Sequence, residues 1–309
     1  MTSIEVRPFR RSDREQLTAL VSAHAAAVVP GATVSVNTVM SQLEREPGEF
    51  IVDPWVGERV TLVAEQRQRV VAAAHLLRYA DDDRVGESYR DAVEIRWFLF
   101  WPEAPYWPDS AEAAEALMAA SLAQLDRWGV TRQYADGTLP APGVYGLPEQ
   151  WPHVRAVYEG AGFVQEGKTE IVYIATVAGL PRPAKDPITG LGVRRSVGVN
   201  GTRLSGVLGD EVIGYIEVEA LEDAARLPRH GGWADIGNLH VVDAHRRRGV
   251  GTWLVGQAAD WLSLARIDRV LAYAWLEQED EVAFLTAAGF REITRTKRGW
   301  VRTPAERPS

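Results

Sequence analysis

Leu239-His240-Val241-Val242-Asp243-Ala244-His245-Arg246-Arg247-Arg248-Gly249-Val250-Gly251-Thr252 is the stretch on which the fold turns. Leu239, Val241 and Val242 suit a buried strand. Gly249 and Gly251 allow positive φ or close approach of a ligand to the backbone. A helix from Thr252 to Ala265 would carry Trp253, Leu254, Ala258, Trp261 and Leu262 on one face. Unpaired amides at a helix start, at the positive end of its dipole, bind phosphate oxygens. Arg246, Arg247 and Arg248 put three cations at the same place.

Arg246-x-x-Gly249-x-Gly251 after a strand ending Leu-x-Val resembles the acyl-CoA pyrophosphate loop of the GCN5-related N-acetyltransferases (GNATs). Val270 to Trp275 is similar to the family's next strand. Glu281 to Ala288 matches its next helix, closing on Gly289-Phe290. The resemblance implies acetyl-CoA as cosubstrate, held by Leu239, His240, Val241, Arg246, Arg247, Arg248, Gly249, Val250, Gly251 and Thr252. The expected class is α/β (α+β): two tandem GNAT-like domains, each a mixed, mostly antiparallel sheet flanked by helices.

Outward from the loop, the 309 residues suffice for two domains. A hydrophobic content of 46% with 25% charged residues fits a soluble globular protein. The chain has no cysteine, which excludes disulfides, thiolate metal sites and cysteine nucleophiles. Met1 to Arg7 lacks the apolar core of a signal peptide and no apolar run could span a bilayer, so the cytoplasm is the default compartment and no membrane partner is expected. The net charge of −8 is uneven. Residues 1–178 hold 16 basic against 25 acidic residues, and the remainder 18 against 17. An acidic half does not favour nucleic acid, and it could draw in a cationic amine.

In the first half, strands are expected at Ile4–Arg7, Arg59–Glu65, Val70–Tyr79, Glu94–Trp101, Arg132–Ala135 and Glu170–Val177. Helices are expected after Ser12 or Asp13, from Asn37 to Arg45 up to a Pro47-Gly48 stop, from a capping box at Asp109 and Glu112 to Trp128-Gly129, and from Pro152 to Ala161. The order resembles a whole GNAT fold, and Tyr158 matches the family's tyrosine that protonates the leaving thiolate. The phosphate loop is missing. Trp101 to Asp109 has no glycine and no basic residue; Pro102, Pro105 and Pro108 remove amide donors, and Glu103 and Asp109 would repel phosphate. Glu94 and Tyr158 therefore occupy catalytic positions in a half without a conventional donor site. Tyr134 to His153 reads as a long aromatic, proline-rich loop.

The domain bounds are read as 1–178, a proline-rich linker at 179–187, and 188–309. In the second half Asn200-Gly201 turns a hairpin between Leu191–Val199 and Thr202–Leu208. Strands at Val212–Glu219 and Asp235–Val242 follow. The two helices that wall the family's acceptor site are absent, so the first half is expected to supply that wall. The tyrosine is absent too: the matching position is Leu285, which cannot donate a proton. Tyr273 is the substitute candidate. Asp235 falls where some members place a glutamate base. His240, Glu217 and Glu219 are further titratable groups nearby. The expectation is direct transfer of acetyl from acetyl-CoA to a small-molecule amine, with the Val241 amide on the developing oxyanion. No metal is needed. A non-catalytic acyl-CoA- or partner-binding module is the alternative, and a homodimer is left open.

Overall fold

In a computed structural model the described residues are 3–44, 55–102, 109–221 and 232–303. The chain forms two compact units: Met1–Thr169 with Thr296–Ser309, and Glu170–Arg295. The expected Pro47-Gly48 stop and the proline run from Glu103 to Pro108 lie outside the described residues.

The first unit runs β1 (Glu5–Pro8), α1 (Arg14–Val28), α2 (Val36–Leu43), β2 (Val56–Gln66), β3 (Arg69–Tyr79), β4 (Ala92–Phe100), α3 (Ser110–Trp128), β5 (Arg132–Ala135), β6 (Leu147–Pro148), α4 (Pro152–Gly160) and β7 (Val164–Gln165). β8 (Thr169–Thr176) opens the second unit, followed by β9 (Leu191–Val197), β10 (Thr202–Leu208), β11 (Glu211–Leu221), β12 (Gly232–Val241), α5 (Val250–Leu264), β13 (Ile267–Trp275), α6 (Glu279–Ala287) and β14 (Arg291–Lys297). β15 (Trp300–Arg302) returns to the first unit.

The first sheet has seven strands, ordered β1-β2-β3-β4-β5-β15-β7. The second unit's sheet runs β14-β8-β13-β12-β11-β10-β9. β4–β5 and β12–β13 are parallel pairs, because α3 and α5 cross over between their strands. The other pairs with a determined register are antiparallel, as expected of a mixed, mostly antiparallel sheet. Gly129 ends α3 in the left-handed conformation. Asp109 precedes α3 without capping it; its carboxylate accepts from Gln66 Nε2 at 2.9 Å instead.

The sheets divide differently from the 178 and 188 boundaries. β8, expected as the closing strand of the first half, pairs with β13 from Arg269↔Thr176 to Trp275↔Glu170 and lies between β13 and β14. Its Ile171, Tyr173 and Ala175 are part of the second unit's core. β15, from the chain's far end, lies between β5 and β7, with Trp300 buried against the Tyr158 ring. Both faces of β8 are buried from Ile171 to Ala175, so local periodicity could not assign it to either sheet. The linker is also part of the second unit. Leu180 is in its core, Arg182 pairs with Asp260 at 2.8 Å, and the Trp253 indole donates to Asp186 at 2.9 Å. Among the described residues no helix is long and apolar enough to cross a membrane.

A fragment starting at Gly179 lacks β8 and leaves the β13 ladder and part of the core open. It is expected to show no cooperative thermal transition by circular dichroism, whereas the full chain does. A sharp transition in the fragment would refute this assignment of β8.

Candidate active site

The second unit's site begins with a fault in β12. Glu217 pairs with Asn238 and Val218 with Ile236, so Gly237 is the extra residue of a β-bulge. Pairing with β13 runs from Gly232↔Ile267 to Asp235↔Leu271 and stops there. Beyond Asp235 the parallel strands part. Strand alternation fixes what faces the gap. The Val242 N–H bonds Ile213 O at 2.9 Å on the β11 side, so the Val241 and Leu239 amides point the other way, toward β13. The Val241 carbonyl, on that same side, accepts from Arg246 Nε at 3.0 Å.

Asp235 and Tyr273, both proposed from sequence, meet at the apex of this gap. The Tyr273 hydroxyl donates to Asp235 Oδ1 at 3.0 Å, and Asp235 is 9% exposed. Asp235 is the last paired residue of β12, and Tyr273 lies two residues past its partner Leu271 on the same sheet face.

At the gap's far end Asp243–His245 makes a 3₁₀ turn, and Arg247 (φ 59°) and Gly249 (φ 84°) adopt left-handed backbone. Alternating hands turn successive amides toward one concave point, an anion-binding arrangement. α5 starts at Val250, two residues earlier than expected, with Gly249 as its cap. The Trp253 amide is the first to bond within the helix, to Gly249 O at 3.0 Å; no side chain caps the amides before it. Arg246, Arg247 and Arg248 are exposed around them. Arg246 leans on Asp243 at 3.1 Å, and Arg248 on His245 at 3.4 Å. At Gly251 a Cβ would lie 3.1 Å from the Phe284 ring of α6, so the helix also packs closely there.

His240 points away from the α5 core, as strand alternation requires, and its ring lies tilted against Tyr215, with centroids 5.7 Å apart. Leu239 and Val241 pack against the core. Glu219 is exposed opposite Asp235. Glu217 is buried and saturated. It takes Arg203 at 2.6 Å, Asn238 Nδ2 at 2.7 Å and the Val199 and Asn200 amides at 3.1 and 3.3 Å. Burial would raise its pKa, but Asn238, Arg203 and the two amides prevail and hold it at about 2.

Residues 193–290 match the Acetyltransferase (GNAT) family. The C-terminal half belongs to the GNAT family. No protein of curated function matches the chain in sequence. Among solved structures, the GNAT-like fold extends over both units. A tandem GNAT protein from the clavulanic acid biosynthesis pathway matches at TM-score 0.64 and 15% identity, over 97% of each chain. A GCN5-related glucosamine N-acetyltransferase region of a fungal multi-domain GH3 β-N-acetylglucosaminidase matches at 0.64 and 14%, over 97% of this chain and 38% of that one. A GCN5-related N-acetyltransferase from Sphaerobacter thermophilus matches at 0.59 and 12%, over 96% and 94%. Identities this low establish the fold alone.

The first unit's GNAT-like sheet repeats the fault in altered form. Between β3 and β4 the register slips at Arg96, and pairing of β4 with β5 ends at Ile95↔Ala135. Glu94 stands where Asp235 stands, Asp136 takes the place of Tyr273, and the bulge residue is arginine instead of Gly237. Arg96 reaches both acids, 3.6 Å from Glu94 and 4.0 Å from Asp136. Tyr79 donates to the Glu94 carboxylate, whose pKa burial pushes up against the pull of Arg96. Tyr158, matched by sequence to a proton donor, is buried with its hydroxyl on Asp136 O at 2.7 Å, and burial raises its pKa well above the ordinary value. Phe98 and Phe100, which correspond to Leu239 and Val241, are buried against Tyr158 and His153.

The depressed pKa of Glu217 sets a pH dependence. A carboxyl that falls from its ordinary 4.5 to about 2 on folding adds stability above the unfolded value and loses it as pH drops through the folded one. The Tm gap between wild type and Glu217→Gln is expected to be full above about pH 5 and to shrink toward pH 2, read by calorimetry. A gap that widens on acidification would contradict the charged, bonded carboxylate.

Proposed function

We propose that the protein is an acyl-CoA-dependent N-acetyltransferase acting through its second unit. The observation that carries the reading is the Tyr273–Asp235 hydrogen bond at the apex of the β12–β13 gap. Acetyl-CoA fits the residues around it. Its pyrophosphate would be held by the amides from about Arg247 to Thr252 with Arg246, Arg247 and Arg248, and its pantetheine arm by Leu239 and Val241. From Val241 back to Asp235 the strand covers roughly 20 Å, a reach suited to that extended arm. The bound thioester supplies the acyl carbonyl.

The chain's own groups then handle charge and protons. The Val241 amide, aimed into the gap, donates to the oxygen that gains charge. Asp235 takes the proton from the attacking neutral amine. Tyr273 delivers its hydroxyl proton to the departing sulfur and recovers one from Asp235 across their 3.0 Å bond, so the pair ends as it began. The C–N bond forms, the C–S bond breaks, and no metal enters. Most of the gain would come from holding both substrates together. Exposed Glu219, beside Asp235, supports a cationic acceptor such as a small amine.

Asp235→Asn is expected to lower kcat by roughly 10²-fold or more without changing acetyl-CoA affinity. Tyr273→Phe should lower kcat as well, with acetyl-CoA affinity unchanged. Full kcat in both variants would refute the relay. Titration calorimetry tests the donor site: Gly249→Glu should abolish acetyl-CoA binding, whereas Gly249→Asn, which tolerates left-handed backbone, should keep it. Binding that survives Gly249→Glu would place the donor elsewhere.

A further inference from the structure

In the second unit a tight hairpin stands where the acceptor-walling helices would be, and its tip does not project freely. Gly198, Val199, Asn200 and Gly201 curl back onto the sheet. The Val199 and Asn200 amides both donate to the Glu217 carboxylate, which Arg203 and Asn238 grip from the strands beneath. The fit leaves no space for side chains. A Cβ on Gly198 would lie 2.4 Å from Glu217 Oε1, and one on Gly201 2.4 Å from Val218 O. At the bulge, a Cβ on Gly237 would lie 2.4 Å from Asn200 Cβ. The tip therefore rests on the bulge residue itself, two positions along β12 from Asp235. Val199, at the tip, is 86% exposed. A valine left in water on a segment this firmly anchored presents an apolar surface at the bulge.

We propose that this hairpin tip is the acceptor-facing wall of the site, that Glu217 is the positioning residue holding it on the bulge, and that Val199 selects amines borne on an apolar group. The inference rests on the acetyltransferase reading above and assigns its substrate class. Glu217 touches neither reacting atom. Its carboxylate converts the strand register at Asn238 into the position of the tip, through two amides on one side and Arg203 and Asn238 on the other. A charged acceptor of bonds is required, since a neutral amide in its place offers one oxygen where two are used.

Two measurements on the full chain test this. Hydrogen exchange compares wild type with Glu217→Gln; residues 198–201 are expected to exchange about tenfold faster in the variant, with acetyl-CoA affinity unchanged. Acetyl-CoA-dependent thiol release is then followed with 2-phenylethylamine and ethanolamine as paired probes. Wild type should prefer 2-phenylethylamine. Val199→Ser, a surface change, should raise KM for that amine about fivefold with kcat retained, and leave ethanolamine unaffected. Unchanged exchange at 198–201 overturns the anchor. Turnover of ethanolamine alone, or an unmoved 2-phenylethylamine KM in Val199→Ser, overturns the wall and leaves acetyl transfer standing. Turnover of neither amine overturns both.

Discussion

Two parallel strands that stop pairing after Asp235 organise the second unit. A parallel ladder normally satisfies every amide along its length. Here the bulge at Gly237 rotates β12 out of register, and the Leu239 and Val241 amides are left facing a gap. Backbone donors without a strand partner need another acceptor. The gap therefore presents backbone donors that the strand ladder does not use. Asp235 is the last residue paired to both neighbours, and Tyr273 is the first residue past the fork on the same face of the other arm.

The first unit carries the same fault with different side chains. It keeps the bulge, the parallel pair and the acid, but the bulge residue is Arg96. A guanidinium between Glu94 and Asp136 neutralises the apex that the second unit leaves to Asp235 and Tyr273. Phe98 and Phe100 pack their buried rings against Tyr158 and His153. The same backbone plan thus carries Glu94, Arg96 and Asp136 at the apex of one unit and Asp235, Gly237 and Tyr273 at that of the other.

The central strands also tie the chain together. β8 precedes the linker and β15 ends the described chain, yet each sits inside the sheet built mainly by the other segment of sequence. Both strands carry ladders on two edges, and β8 is buried on both faces while β15 buries Trp300. The linker shares this ordering, through Leu180 in the core and the Arg182–Asp260 and Trp253–Asp186 contacts.

The loop, the helix after it and the hairpin were legible in the sequence because their signals are local. Gly249 must adopt a left-handed φ, Asn200-Gly201 makes a tight turn, and three adjacent arginines mark one end of a helix. Asp235 and Tyr273 were each named from sequence, but only as separate candidates. Their hydrogen bond depends on the parallel register of β12 and β13, which no spacing along the chain encodes. The long loop before α4 conceals β6, and β7, β14 and β15 were not read at all, being short or lacking alternation. Glu217 looked like an ambiguous carboxylate. Its role comes from partners 14 to 21 residues away in sequence. The sequence by itself determined the elements whose energetics are set within a turn or a helix face. The tertiary structure alone decided which strands became neighbours, since ladder pairing and burial depend on residues that only folding brings together.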